Sequence, residues 1–179
     1  MAVFKMGTKT VLSQTGSDNP TWGANAPTGS IIDYDLQNIT TTNYTNASGG
    51  TPDIADSTAI SITLPAGSTA IITASGGKLY ASSGSTRRIS IALISYTTDG
   101  STPSASSNLI YGGEATLVSP TGTNYVSGIV EGKVSNSTGS DQTLKWNWGV
   151  VSVSSLSGEW QTEANGRGQL SLKTLIFKD

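Results

Sequence analysis

The chain has 179 residues, of which 52 are Ser or Thr and 21 are Gly, and its formal net charge is −2. It contains neither cysteine nor histidine, so disulfides, thiolate metal sites and histidine-based catalysis are excluded. Its 10 Lys and Arg residues are scattered rather than clustered, and no apolar run reaches the length of a membrane span. We therefore expect no nucleic-acid partner, no membrane partner, no bound metal and no cofactor.

The first 30 residues differ from the rest of the chain. Their apolar residues are scattered and precede a run of turn-forming residues at 13–27. We interpret residues 1–30 as an extended arm and residues 31–179 as the folded domain. The arm residues expected to contact a partner are Val3, Phe4, Met6, Val11, Leu12 and Trp22. The alternative is that this segment packs on its own domain.

The rest of the chain alternates apolar and polar residues in short runs separated by Gly and Pro, a pattern typical of β-strands with one buried face. In the first run Ile32, Tyr34 and Leu36 are expected to face the core, and a polar loop is expected at 38–57. About eight to nine strands follow from these runs, at 31–37, 60–64, 69–74 with a continuation to 81, 89–93, 108–111, 114–118, 124–134, 144–150 and 170–176. The pattern predicts an all-β, two-sheet antiparallel sandwich of the jelly-roll type.

Three tryptophans in the second half are candidate functional residues. Leu144, Trp146, Trp148 and Val150 share one face of a predicted strand. Four apolar residues along one strand face favour burial in the core or at a subunit interface. The alternative is that the two tryptophans form an exposed platform that stacks on sugars. Trp160 lies in a predicted loop at 154–169 and is the better candidate for an exposed ring that contacts a glycan.

No group of acidic, Ser or Lys residues in the sequence predicts catalysis. Glu114, Glu131, Glu159 and Glu163 are not spaced as a glycosidase pair, and the Ser and Lys residues form no recognisable dyad. Aspartates at 33, 35, 53 and 56 offer oxygen ligands for Ca²⁺, but the spacing favours solvent-facing acids. We therefore predict that the protein is not an enzyme.

Several short motifs resemble a family of viral domains. They are Trp22-Gly23 followed by Ala-Pro-Thr-Gly-Ser-Ile-Ile at 26–32, Ala-Ile-Ser-Ile-Thr-Leu-Pro-Ala-Gly-Ser-Thr-Ala-Ile-Ile at 59–72, and the apolar strand 170–177. In this order they resemble the small β-sandwich domains of tailed-phage virion proteins, namely capsid decoration proteins, head fibres and tail-fibre tips. The resemblance implies a structural role and a homotrimer.

Together these observations predict a phage decoration (cement) protein or short head fibre, because no long fibre shaft accompanies the domain. The arm would bind the major capsid protein or another virion protein. Met1 to Lys5 precede no apolar stretch, so we expect no signal peptide, synthesis in the host cytoplasm and a final location on the virion surface. The alternatives are a tail-fibre tip and a lectin-like module that recognises a host surface glycan.

Overall fold

The computed structural model describes residues 2–6, 9–14, 21–22, 26–39, 43–47, 50–55, 59–81, 88–117, 124–152, 158–162 and 169–179. These residues form strands and turns, and none of them is helical. Accordingly, the described part of the chain holds no helix that could cross a membrane.

The described strands are, in chain order, β1 (Ala2–Met6), β2 (Lys9–Gln14), β3 (Thr21–Trp22), β4 (Ile31–Ile39), β5 (Asn43–Ala47), β6 (Asp53–Ile54), β7 (Ile60–Leu64), β8 (Ser68–Ala81), β9 (Arg88–Thr97), β10 (Asn108–Leu117), β11 (Asn124–Asn136), β12 (Gln142–Ser152), β13 (Gly158–Thr162) and β14 (Leu170–Lys178).

Eight of these strands form two antiparallel sheets in jelly-roll order. In one sheet the order is β4, β14, β8, β11, and in the other it is β7, β12, β9, β10. Numbered one to eight along the chain, these strands read 1-8-3-6 and 2-7-4-5, the double Greek key of a jelly roll. The predicted fold class is confirmed. The short strands β5 and β13 extend the first sheet to six strands, and β6 extends the second to five.

The short strands are the part of the fold that alternation did not predict. The expected loop at 38–57 contains β5 and β6, and the expected loop at 154–169 contains β13. Each of these strands holds a single large apolar residue, so no alternation with a period of two can be recognised in it. Two of these short strands form hydrogen bonds with longer neighbours: β13 pairs with β8, and β6 pairs with β12. Their position in the sheets therefore depends on these neighbours rather than on their own sequence.

The core lies between the two sheets. It is built from alternate residues of the long strands, for example Ala70, Ile72 and Ala74 of β8, and Leu170 and Leu172 of β14. Each is fully buried or nearly so, as a period of two requires for a face that packs on the opposite sheet.

On one side of the sandwich the edge strands β10 and β11 approach each other closely, with glycine at the points of contact. A side chain at Gly112 would collide with the Ile129 carbonyl and the Val130 side chain, and one at Gly132 would collide with Ile110. Glycine therefore lets the two sheets meet along this edge.

The first three strands form a separate three-stranded antiparallel sheet of order β1-β2-β3. The segment is thus a small meander rather than one extended strand. The residues just before β4 are hydrogen-bonded to β14. Gly29 N donates to Lys178 O (2.6 Å), and Lys178 N donates to Ser30 O (2.9 Å). That the segment is an attachment arm stays a prediction.

Candidate functional site

The four apolar residues singled out on β12 lie in the core. Leu144, Trp146, Trp148 and Val150 are all fully buried. Trp146 and Trp148 are therefore packed against the opposite sheet and present no ring to solvent. A sugar-stacking platform on this strand would need exposed rings, so the platform alternative is wrong here.

The indole groups of β12 differ in how their N–H groups are satisfied. Trp146 Nε1 donates to the hydroxyl of Thr174 on β14 at 2.9 Å, which links the two sheets through the core. Trp148 Nε1 is buried and has no hydrogen-bond partner among the described residues. Its ring meets Trp160 edge to face, with centroids 5.4 Å apart and an interplanar angle of 78°. This is a favoured geometry for an aromatic pair.

The expectation of an exposed ring at Trp160 is wrong. Trp160 lies in β13 rather than in a loop, and it is fully buried. Its Nε1 donates to Gly76 O at 3.0 Å. A ring with its N–H already bonded and its face covered cannot stack on a glycan.

Glycines on neighbouring strands create the space that Trp160 occupies. Gly76 and Gly77 have positive φ (105° and 64°), which breaks the regular course of β8 beside the ring. A side chain at Gly128 on β11 would collide with the indole. In the sequence, the burial of Trp160 is therefore indicated by the glycines of β8 and β11 and not by the residues that flank Trp160.

The first strand of the domain contains a β-bulge that reverses the predicted facing. The register between β14 and β4 shifts between Ile176, opposite Asp33, and Phe177, opposite Ile31, so Ile32 is the extra residue. Ile32 packs against the core, whereas Tyr34 and Leu36 are 65% and 52% exposed. The expectation that all three share the buried face is wrong, because a bulge moves the following residues to the other face.

The large apolar side chains that remain exposed form the candidate interaction site, and sequence reasoning did not identify them. Among the described residues these are Ile31, Tyr34, Leu36, Tyr111 and Ile129. Tyr34 pairs with Leu175, and Leu36 pairs with Lys173, so this group lies on the outer face of the six-stranded sheet. Tyr111 and Ile129 lie at the edge where β10 meets β11.

The polar loops are ordered by hydrogen bonds within the chain. Asp99 Oδ1 accepts from Ser101 Oγ (2.6 Å) and Ser101 N (2.9 Å), and these bonds hold the pKa of the exposed Asp99 below its usual value. Asn136 is buried, and its Nδ2 donates to Leu64 O and to Ser140 O, both at 2.9 Å. The side-chain amide of Asn136 therefore holds the turn between β11 and β12 in place.

The described residues contain no cluster of three or more metal-ligating side chains. Asp33, Asp35 and Asp53 are described, whereas Asp56 lies outside the described residues. Asp33 Oδ1 accepts the backbone N–H of Tyr34, and Asp35 Oδ2 accepts from Gln37 Nε2. Both bonds are local, and neither of them joins two of the aspartates.

The proposed arm residues are placed by their backbone pairing. Phe4 is opposite Leu12, and Leu12 is opposite Trp22, so these three occupy paired positions on neighbouring strands. Val3 is opposite Ser13 and Met6 is opposite Lys9, while Val11 falls where the register shifts. The side chains of this segment lie outside the described residues.

Comparison with known proteins gives weak structural matches. No protein-family model matches the chain, and a search of curated proteins finds no match. The solved structure of infectious bursal disease virus strain Gx is similar with 12% identity and a TM-score of 0.35, covering 99% of this chain and 46% of that one. The VP2 subviral particle of infectious bursal disease virus is similar with 11% identity and a TM-score of 0.35, covering 98% and 46%. The chain thus spans about half the length of these structures.

Proposed function

We propose that the chain is a non-enzymatic structural protein of a bacteriophage virion, a homotrimeric capsid decoration protein or short head fibre. Residues 1–30 attach it to the major capsid protein or to another virion protein. It is made in the host cytoplasm, ends on the virion surface and takes no cofactor.

The observation that carries the proposal is the contrast between a jelly roll whose tryptophans are all buried and a small sheet formed by β1, β2 and β3. The tryptophans of the domain are all buried in its core, namely Trp146, Trp148 and Trp160. Phe4 and Trp22 belong to the separate sheet formed by β1, β2 and β3. A single sheet of three short strands has no second layer, so an apolar face on it is covered only by packing on another surface.

The chemistry of the chain supports a structural role over catalysis. Without His or Cys the chain lacks the commonest base and the strongest nucleophile. Among the described residues, the exposed Asp99 has its pKa lowered by local hydrogen bonds from Ser101. A catalytic carboxylate would instead have its pKa shifted by burial or by a neighbouring charge.

The glycan-binding alternative has no supporting observation in the described residues. A site that stacks on a sugar uses exposed aromatic rings. The three tryptophans considered for that role are buried. Tyr34 and Tyr111 are exposed, but they lie on strands of different sheets rather than as paired rings on one face.

Sedimentation with virus particles tests the proposal. Particles lacking this protein are mixed with the full chain, with the double variant Phe4→Ser/Trp22→Ser, or with a form lacking residues 1–27. We expect the full chain to sediment with the particles and both altered forms to stay in the supernatant. Ser137→Asp, at an exposed turn residue, is the matched control and should bind as the full chain does.

The altered forms must first be shown to be folded by circular dichroism, so that loss of binding reports on attachment. Binding of both altered forms at the level of the full chain would contradict attachment through residues 1–30. Failure of the full chain to sediment with any particle would contradict the virion role itself.

A further inference from the structure

The outer face of the six-stranded sheet carries a group of apolar side chains that the described part of the chain leaves exposed or half-buried. This group, the β4 patch, consists of Ile31, Tyr34 and Leu36 of β4 with Leu175 and Phe177 of β14. We propose that the β4 patch packs on the same virion protein that binds residues 1–30, as a second contact beside the attachment segment. This inference rests on the attachment through residues 1–30 in the proposed function.

The strand register places the side chains of the patch on one face. The residues of β14 at 170, 172, 174 and 176 are fully buried, so Leu175 and Phe177 lie on the outer face. Tyr34 is paired with Leu175, and Ile31 is paired with Phe177. Because paired residues of neighbouring strands lie side by side, the patch is one continuous apolar surface on two strands.

The rest of this outer face is polar. Lys173 of β14 is paired with Thr73 of β8, which is paired with Glu131 of β11. Thr73 Oγ1 donates to Glu131 Oε2 at 3.2 Å, and Lys133 lies on the same face two residues further along β11. Ile129 is also exposed on this face, but it lies on β11 at the far edge. The apolar surface is therefore concentrated at the β4 side, with Lys173 at its border.

The outer face of the other sheet is covered by the chain itself. Leu93, Ser95 and Asn147 lie on that face and are at most 3% exposed. Ser95 Oγ donates to Ser104 O at 2.7 Å, and Asn147 Nδ2 donates to Ala55 O, so two connecting segments fold over the sheet there. The β4 patch has no such cover from the described residues. A continuous apolar patch left exposed in this way is typical of an interaction surface.

The attachment segment leads directly into the β4 patch. Ile31 is the next residue after this segment, and Gly29 and Ser30 are hydrogen-bonded to Lys178, the residue after Phe177. Cα atoms of β3 lie within 8 Å of Cα atoms of β4. A protein that binds the sheet formed by β1, β2 and β3 therefore lies next to the patch. A different partner would have to fit beside a segment that is already bound, so the position of the patch favours the protein bound by residues 1–30.

The composition of the patch indicates the chemistry of the surface that it fits. Its centre consists of aliphatic and aromatic side chains, so the surface of the virion protein should be apolar where it meets them. Lys173, paired with Leu36, is the charged residue at the border. An acidic group of the virion protein opposite Lys173 would complement this charge and fix the orientation of the domain on the particle.

The first test follows two tyrosines in the unaltered chain. The free chain, and the chain bound to particles that lacked it, are nitrated with tetranitromethane, and the modified tyrosines are identified by mass spectrometry of peptides. Tyr34 in the patch and Tyr111 on the other sheet are matched probes, because they are 65% and 57% exposed. We expect binding to suppress nitration of Tyr34 and to leave that of Tyr111 unchanged. Nitration of Tyr34 at the same rate in the free and the bound chain would overturn the inference.

The second test compares Leu36→Asp with Ser61→Asp, which places the same charge on an exposed residue of β7 in the other sheet. The chain is titrated against a fixed amount of particles, and the bound fraction is measured by sedimentation. We expect Leu36→Asp to weaken binding about tenfold, as the loss of one central apolar contact does, and Ser61→Asp to bind as the unaltered chain does. Both replaced side chains are exposed, so the fold should survive, and circular dichroism checks this.

The remaining outcomes separate this inference from the proposed function. If Leu36→Asp binds as the unaltered chain does, while removal of residues 1–27 abolishes binding, the inference is overturned and the attachment stands. If the unaltered chain sediments with no particle, both are overturned. Light scattering identifies the other possible occupant: a free Leu36→Asp chain of lower mass than the unaltered chain would mean that a second copy packs on the patch, which also overturns the inference.

Discussion

Gly128→Ala is the substitution that tests the packing of Trp160 most severely. Gly128 has no positive φ, so alanine suits its backbone, and any loss of stability must come from the side chain itself. The added Cβ would lie 2.5 Å from Trp160 Nε1 and 2.6 Å from Cζ2, both well inside van der Waals contact. The obstacle is a ring held between strands, which cannot rotate away.

The expected cost combines two effects. Overpacking of a filled core costs about 1–3 kcal/mol. Displacing the indole also breaks its hydrogen bond to Gly76 O, and a buried donor left without a partner costs about 1–3 kcal/mol. Part of each effect relaxes when the ring moves, so we expect Gly128→Ala to lower the free energy of unfolding by about 3 kcal/mol.

Urea unfolding followed by circular dichroism measures this change. Gly139→Ala is the matched control, because nothing lies within 4 Å of its added Cβ and its φ is not positive. The control should change the free energy of unfolding by no more than about 0.5 kcal/mol. Combining Gly128→Ala with Trp160→Leu should cost less than the sum of the two single changes, because the smaller side chain relieves the collision. Equal stability of Gly128→Ala and the unaltered chain would refute the burial of Trp160 against β11.

Three further predictions follow from single contacts. Thr174→Val leaves Trp146 Nε1 buried without its acceptor, so the free energy of unfolding should fall by about 1–3 kcal/mol, whereas Thr143→Val on the exposed face of β12 should have little effect in the same urea experiment. Asn136→Asp replaces a donor to Leu64 O and Ser140 O with an acceptor, so the melting temperature at neutral pH should drop, and an unchanged melting temperature would contradict the buried turn. Ser101→Ala removes the hydroxyl donor to Asp99, so a carboxyl NMR titration should show the pKa of Asp99 rising toward its ordinary value of 3.8. Because that pKa is lowered in the fold, the contribution of Asp99 to stability is present above pH 3.8 and is lost as the pH falls through the lowered pKa.

The sequence predicted the long strands and the fold class because their alternation is carried by many residues. Trp146 and Trp148 on β12, like Leu170 and Leu172 on β14, keep a period of two over a whole strand, and their burial follows from it. Two such faces in one chain leave few arrangements other than a sandwich.

The features that the sequence did not predict depend on single residues whose effect is felt elsewhere in the fold. The bulge at Ile32 places Tyr34 and Leu36 on the outer face, although residues 32–37 alternate between apolar and polar without a break. Trp160 is buried because Gly128, 32 positions earlier, leaves room for it. The β4 patch emerges only from such a tertiary effect, so no local pattern identified it.

The central claim is that this chain is a trimeric component of the virion surface. Electron cryo-microscopy of the virus particle that carries it tests this claim most directly. The account predicts three-fold knobs on the capsid, each fitted by three copies of the jelly roll, with residues 1–30 at the contact with the shell. Particles whose capsids carry no such density, or that carry the protein only at the tip of the tail, would contradict the account.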